Sequence, residues 1–77
     1  MAVGFILITT EPGFEIQVRE EVSKIECVKG QWLVFGNHDL FVKVEAENES
    51  KLTQCIVQEI RSVKGIYETR TLIGAEI

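Results

Sequence analysis

The stretch Val28-Lys29-Gly30-Gln31-Trp32-Leu33-Val34-Phe35-Gly36-Asn37-His38-Asp39-Leu40-Phe41-Val42-Lys43-Val44 decides the fold. Val28 to Phe35 and Leu40 to Val44 are runs of β-branched and aromatic residues, the composition that suits a pleated, half-buried surface. Between them stand Gly36-Asn37-His38-Asp39, four residues of turn-forming type. Parallel strands need a crossover of a dozen or more residues, so a link this short makes the two runs an antiparallel hairpin. Gly30, near the start of the first run, is where a bulge or bend is expected.

Helical patterns flank the hairpin. Upstream, apolar residues at 14, 18, 22 and 25 fall on one stripe, while Arg19, Glu20, Glu21 and Lys24 make up most of the wet face, with Glu20 and Lys24 an i,i+4 pair. Thr10 or Glu11 is expected as N-cap, with Pro12 in the first turn. Before it, Ala2 to Ile8 is an apolar, β-rich strand. Downstream, Asn48 or Ser50 caps a helix whose stripe is Leu52, Cys55, Ile56 and Ile60, and Val63 to Ile73 is a fourth strand. The order is β-α-β-β-α-β. A shift of 35 residues lays Val22, Ile25 and Val28-Lys29-Gly30 over Val57, Ile60 and Val63-Lys64-Gly65, and Phe5-Ile6-Leu7 over Leu40-Phe41-Val42. Two β-α-β units of this kind interleave into an α+β, ferredoxin-like domain: a four-stranded antiparallel sheet with both helices on one face. Residues 1–77 are expected to form this single domain.

Length and charge limit the function. A chain of 77 residues has a thin core. A wholly apolar run such as Phe5-Ile6-Leu7-Ile8 is far short of the roughly 20 residues of a membrane span. No basic leader with a small-residue cleavage site follows Met1, so a cytoplasmic address and no membrane contact are expected. Eight basic residues, scattered singly, against twelve acidic ones give a net charge of −4, a poor match to a phosphate backbone. No direct nucleic-acid contact is expected. Cys27 and Cys55, with no C-x-x-C spacing, read as small buried hydrophobes of a reducing compartment, and with one His and one Asp the chain offers no zinc set. No metal or cofactor is expected.

Both alternating sets of strand residues are apolar: Phe5 and Leu7 against Ile6 and Ile8, Trp32 and Val34 against Leu33 and Phe35. A sheet face meeting water alternates apolar with polar residues. The face without helices is therefore expected to be covered by a second chain, and the protein to dimerise.

Gly36-Asn37-His38-Asp39 holds the only His and the only Asp of the chain. As a ligand loop it would offer backbone amides to a carboxylate and the Asp39 carboxylate to an ammonium group, the two ends of a zwitterion. Thr69 and Thr71 share one face of the last strand, with Arg70 on the other, and their hydroxyls could complete a polar pocket. The plainer readings are a hairpin turn and the β-propensity of threonine. No nucleophile or second carboxylate stands at a readable spacing from His38, so no catalytic residue is assigned and an enzyme is not expected.

The helix-starting Thr10-Glu11-Pro12-Gly13, the hairpin Val34 to Val44, Ile60-Arg61-Ser62-Val63-Lys64-Gly65 and the closing Thr69-Arg70-Thr71-Leu72-Ile73 resemble the effector domain of Lrp/AsnC regulators, also called the RAM domain. The resemblance runs over about residues 4–75 and is most specific at the Gly-x-x-Asp core, Gly36 and Asp39. It implies a ferredoxin-like domain that pairs through its sheets into an α/β-barrel-like dimer and assembles into octamer or decamer rings. Amino-acid effectors would bind between dimers, with Gly36, Asn37, His38 and Asp39 at the main-chain groups and Thr69 and Thr71 contributing from the adjoining strand. Regulators of that family carry a helix-turn-helix domain ahead of this unit, whereas Met1 opens into the first strand. A stand-alone module is expected, acting on transcription indirectly, with full-length regulators as candidate partners. Asn37-His38 departs from the acidic and aromatic pair common in the family. The alternatives are a cofactor-free monooxygenase, marked by a pocket between sheet and helices lined by His38 and Trp32, and a structural co-assembly partner that binds no ligand.

Overall fold

A computed structural model describes residues 1–34 and 39–74. Four strands form one antiparallel sheet: β1 (Ala2–Thr10), β2 (Val28–Val34), β3 (Asp39–Ala46) and β4 (Ile66–Gly74), in the order β2-β3-β1-β4. Helix α1 (Glu15–Ser23) connects β1 to β2, and α2 (Glu49–Cys55) runs into a π turn at Ile56–Ile60 before β4. This is the ferredoxin-like α+β arrangement expected from the sequence.

The pleat divides the sheet into a covered and an open face. Along β1, residues 2, 4, 6, 8 and 10 are buried and the odd ones half-buried; along β3 the even residues 40, 42 and 44 are buried. Ile6, Ile8, Leu40, Val42 and Val44 meet Val18 and Val22 of α1 and Leu52, Cys55, Ile56 and Ile60 of the second helical segment in one core. Full burial of such a side chain contributes about 1.5–3 kcal/mol relative to leaving it exposed. Gly4 lets α2 settle close, since a Cβ there would touch Leu52 and Val44 at 3.4 Å.

The helix starts are set by backbone turns as much as by caps. Asn48, as expected, caps α2 by accepting from the Lys51 N–H at 2.8 Å. Helix α1 begins later than expected, with Phe14 rather than Thr10 or Glu11 at the N-cap. Gly13, at φ +92°, forms a left-handed corner, Phe14 N–H bonds the Glu11 carbonyl at 3.0 Å, and the Gly13 N–H donates to the Glu15 carboxylate at 3.0 Å. Lys24 pairs with Glu21 at 3.4 Å rather than with Glu20.

The repeat is real but its offset changes along the chain. Ile6, Ile8, Val18 and Val22, all on the core side, match Leu40, Val42, Leu52 and Ile56, each 34 residues on. The π turn, closed by Arg61 N–H to Ile56 C=O at 3.1 Å, inserts one residue, and Ile25 then matches Ile60 at 35. A uniform shift of 35 sets the buried Ile6 over the half-buried Phe41, on the other face, and the buried Val22 over Val57, which is 49% exposed. Nor do the two Val-Lys-Gly segments correspond. Gly30 lies inside β2 just past the bulge at Lys29, while Gly65 precedes β4 in a turn at φ +99°.

The two cysteines correct the sequence reading: Cys27 and Cys55 form a disulfide. It ties the entry of β2 to the junction of α2 with the π turn. Closing a loop of this length stabilises a fold by about 3–4 kcal/mol on the chain-entropy account.

Candidate functional site

The open face carries Val3, Phe5, Leu7 and Thr9 of β1, with Asp39, Phe41, Lys43 and Glu45 of β3 on one side and Glu68, Arg70 and Leu72 of β4 on the other. Its centre is aromatic. Phe5 and Phe41 stack at 5.3 Å, Trp32 of β2 leans on Phe41 at 6.3 Å, and the indole lies across Gly30, where a Cβ would meet it at 2.7 Å. Trp32 and Leu72 remain 51% and 63% exposed on this face. Apolar side chains of that size on a sheet face call for a cover.

At one end of the face three polar residues stand abreast. Thr9 pairs with Asp39 on one flank and with Glu68 on the other, so the backbones of the two acidic residues stand about 10 Å apart, two strand spacings. The Thr9 hydroxyl donates to Asp39 Oδ1 at 3.2 Å and fixes that carboxylate. No cation among the described residues pairs with Asp39, which leaves its remaining lone pairs for a donor such as an ammonium group.

Of the other residues singled out in the sequence, Gly36, Asn37 and His38 lie outside the described residues. Thr69 and Thr71 share a face, with Arg70 opposite, but that face is the helix side: they pair with Ile8 and Ile6 of β1. The structure therefore does not bring Asp39 together with Thr69 and Thr71 within one chain. Thr71 Oγ1 is buried there without a hydrogen-bond partner. Thr9 and Glu68 went unread in the sequence because only the strand register sets them beside Asp39.

Trp32 lies on the face away from the helices, so it lines no pocket between sheet and helices. Three open grooves of about 450–490 Å³ border the helices and the sheet's β2 edge, and none of the three is lined by Asp39, Thr69 or Thr71. Among the described residues no three His, Cys, Asp or Glu side chains gather as a metal site, and no helix is long and apolar enough to cross a membrane.

Comparison with known proteins agrees with the fold and extends it. The Lrp/AsnC ligand binding domain matches residues 3–76. An uncharacterised HTH-type transcriptional regulator of Pyrococcus abyssi is 31% identical over 74 residues, and a second one is 35% identical over 71. Each alignment takes in 92% of this chain but only 49% and 45% of the regulator, so the chain spans about half the length of these relatives. A homocitrate synthase of Sulfurisphaera tokodaii matches over 54 residues at 41% identity, 12% of that enzyme. Among solved structures, a hypothetical protein from Pyrococcus horikoshii superposes with a TM-score of 0.88 at 36% identity, covering 100% of this chain and 93% of that one. A Thermus thermophilus protein gives 0.90 at 25%, covering 100% and 96%, and Escherichia coli AsnC, at 18% identity over 97% of this chain and 52% of its own, shares the fold with a TM-score of 0.80. With the match spanning nearly every residue, the chain belongs to the Lrp/AsnC ligand-binding domain family.

Proposed function

We propose that the chain is a sensing module of Lrp/AsnC-type regulation, which binds a small amino-acid effector and passes its presence on through assembly with other subunits. The observation that carries this reading is Asp39. Its carboxylate is held by Thr9 at the mouth of the β2–β3 hairpin, on the face left open by the helices, with no cation of the described residues on it. A buried or half-buried carboxylate kept for a ligand's ammonium group contributes about 1.5–3 kcal/mol through a charged hydrogen bond.

In this reading the open faces of two copies pack together, dimers join into rings, and the effector lies between subunits. Gly36, Asn37, His38 and Asp39 take the main-chain groups of the amino acid. Thr69 and Thr71 lie on the opposite sheet face from Asp39, so in this reading they contribute from a neighbouring subunit rather than from the same chain. The module acts in the cytoplasm and on transcription indirectly, without DNA contacts of its own, through full-length regulators. The Cys27–Cys55 bridge fits such an address where intracellular proteins keep disulfides, as in hyperthermophilic archaea. The relatives named as transcriptional regulators support the regulatory context, and the short homocitrate synthase segment does not argue for chemistry in this chain.

Calorimetric titration with a panel of amino acids tests the reading in wild type and Asp39→Asn. One or a few amino acids should bind the wild type, and the amide should weaken that binding about ten-fold or more while leaving the thermal midpoint unchanged. Heat with none of the panel, or equal affinity in both proteins, would contradict it.

A further inference from the structure

The Cys27–Cys55 bridge lies in the wall of an open groove of about 450 Å³ that runs beside the entry of β2 and the end of α2. Both half-cystines are 8% exposed, so the sulfurs are shielded from bulk solvent except along this groove. Glu26, Glu47 and Glu59 stand along it against Lys29 and Lys51, while Glu45 borders it with a side chain that lies on the open face beside Lys43. Lys51 is already committed to Glu47 at 2.8 Å, and Lys43 to Glu45 at 3.9 Å. The path to the disulfide is therefore negatively charged.

Residues 28 to 54 form the covalent loop that the bridge closes, and they comprise β2, β3 and most of α2. Cys27 also takes part in the sheet, its carbonyl accepting from the Glu45 N–H at 2.9 Å, while Cys55 belongs to the apolar stripe of α2. The bond thus clamps α2 onto the hairpin strands at a point where the helix changes to a π turn. Leu52, Ile56 and Ile60 also hold this segment in the core, so reduction would remove the covalent tie and leave the apolar one.

We propose that this disulfide is a reversible redox clamp on α2 and the hairpin, reached through the acidic groove and reduced preferentially by cationic or neutral thiols over anionic ones. In the reaction a thiolate of the reductant attacks one sulfur, the S–S bond breaks and the other sulfur leaves as a thiolate, which takes a proton. A second reductant thiol then resolves the mixed disulfide. The products are two cysteine thiols and one oxidised dithiol, two electrons having passed from reductant to protein. Charge selects because the groove's net charge, near −1, disfavours the approach of a further negative charge and favours a cationic one.

The test uses the whole oxidised chain and three small monothiols: cationic cysteamine, neutral mercaptoethanol and anionic mercaptoacetate. The rate of appearance of free cysteines is followed by alkylation and mass spectrometry at equal thiolate concentration. At low salt the cationic thiol should react roughly ten-fold faster than the anionic one, and the gap should close at about 0.5 M salt, where screening leaves a few ångströms of reach. Full reduction should lower the thermal midpoint by about 15–25 °C, and reoxidation should restore it. The double variant Cys27→Ala/Cys55→Ala should melt near the reduced wild type and ignore reductant. Purified, unreduced protein that takes up two alkyl groups would overturn the clamp. So would reduction that leaves the melting point unmoved, or rates indifferent to thiol charge, since attack then waits on global unfolding. If the double variant fails to fold, the reduced and reoxidised wild type decides alone.

Discussion

Gly65 occupies a corner that no other residue fits. Its φ of +99° lies in the left-handed region, its carbonyl accepts from Glu11 at 2.8 Å, and a Cβ would stand 2.7 Å from Phe14 Cβ. Gly65→Ala therefore combines backbone strain with a clash against a packed ring and should cost at least about 2 kcal/mol, read as a lower urea midpoint with an unchanged slope. Gly13 is the control. It is left-handed too, at φ +92°, but nothing lies within 4 Å of its Cβ position, so Gly13→Ala should cost only about 1–2 kcal/mol. Equal losses at the two positions would mean that the Phe14 contact does not matter. Asp39 was legible in the sequence as the lone Asp of a turn. Thr9, which holds its carboxylate, and Glu68, which stands across from it, were not, because their neighbourhood is made by strands distant in sequence.

The elements follow from local chemistry with two exceptions. Asn48→Ala should cost about 1 kcal/mol, since only its side chain caps the Lys51 N–H, and Leu52→Ala about 2–5 kcal/mol for a side chain with no exposure. Both are read by chemical denaturation. The order β-α-β-β-α-β, the bulge near Gly30 and the stripe of α2 could be read from periodicity and turn residues, because each is set within a few positions. The first exception is strand parity. Ile6 and Phe41 look alike as apolar strand residues, yet one faces the helices and the other the open side, and a strand apolar on both faces hides its own phase. The second is the π turn, a one-residue insertion that leaves no mark in composition and yet turns Val57 to solvent and Ile60 to the core. The disulfide was unreadable for a related reason: 28 residues separate the cysteines, and only the packing of α2 across the sheet brings them together.

At the scale of the molecule the unsolved surface is the open sheet face. The helices cover the centre of one side, while the other keeps stacked Phe5 and Phe41, the exposed Trp32 and Leu72, and the Thr9–Asp39 pair at its end. Leu7 sits between Phe41 and Arg70 in register, near the middle of this face. Leu7→Glu should leave the fold intact, since its side chain is outside the core, and shift the protein to monomer in light scattering behind a sizing column. A variant that unfolds instead would show that the residue supports the sheet rather than an interface. The central claim, a ligand-sensing assembly built from this face, is tested most directly by native mass spectrometry of the wild type with and without the amino acid found by titration. Even-numbered oligomers that gain up to one ligand per subunit are the predicted result. A monomer at micromolar concentration, or an assembly to which no ligand adds, would contradict it.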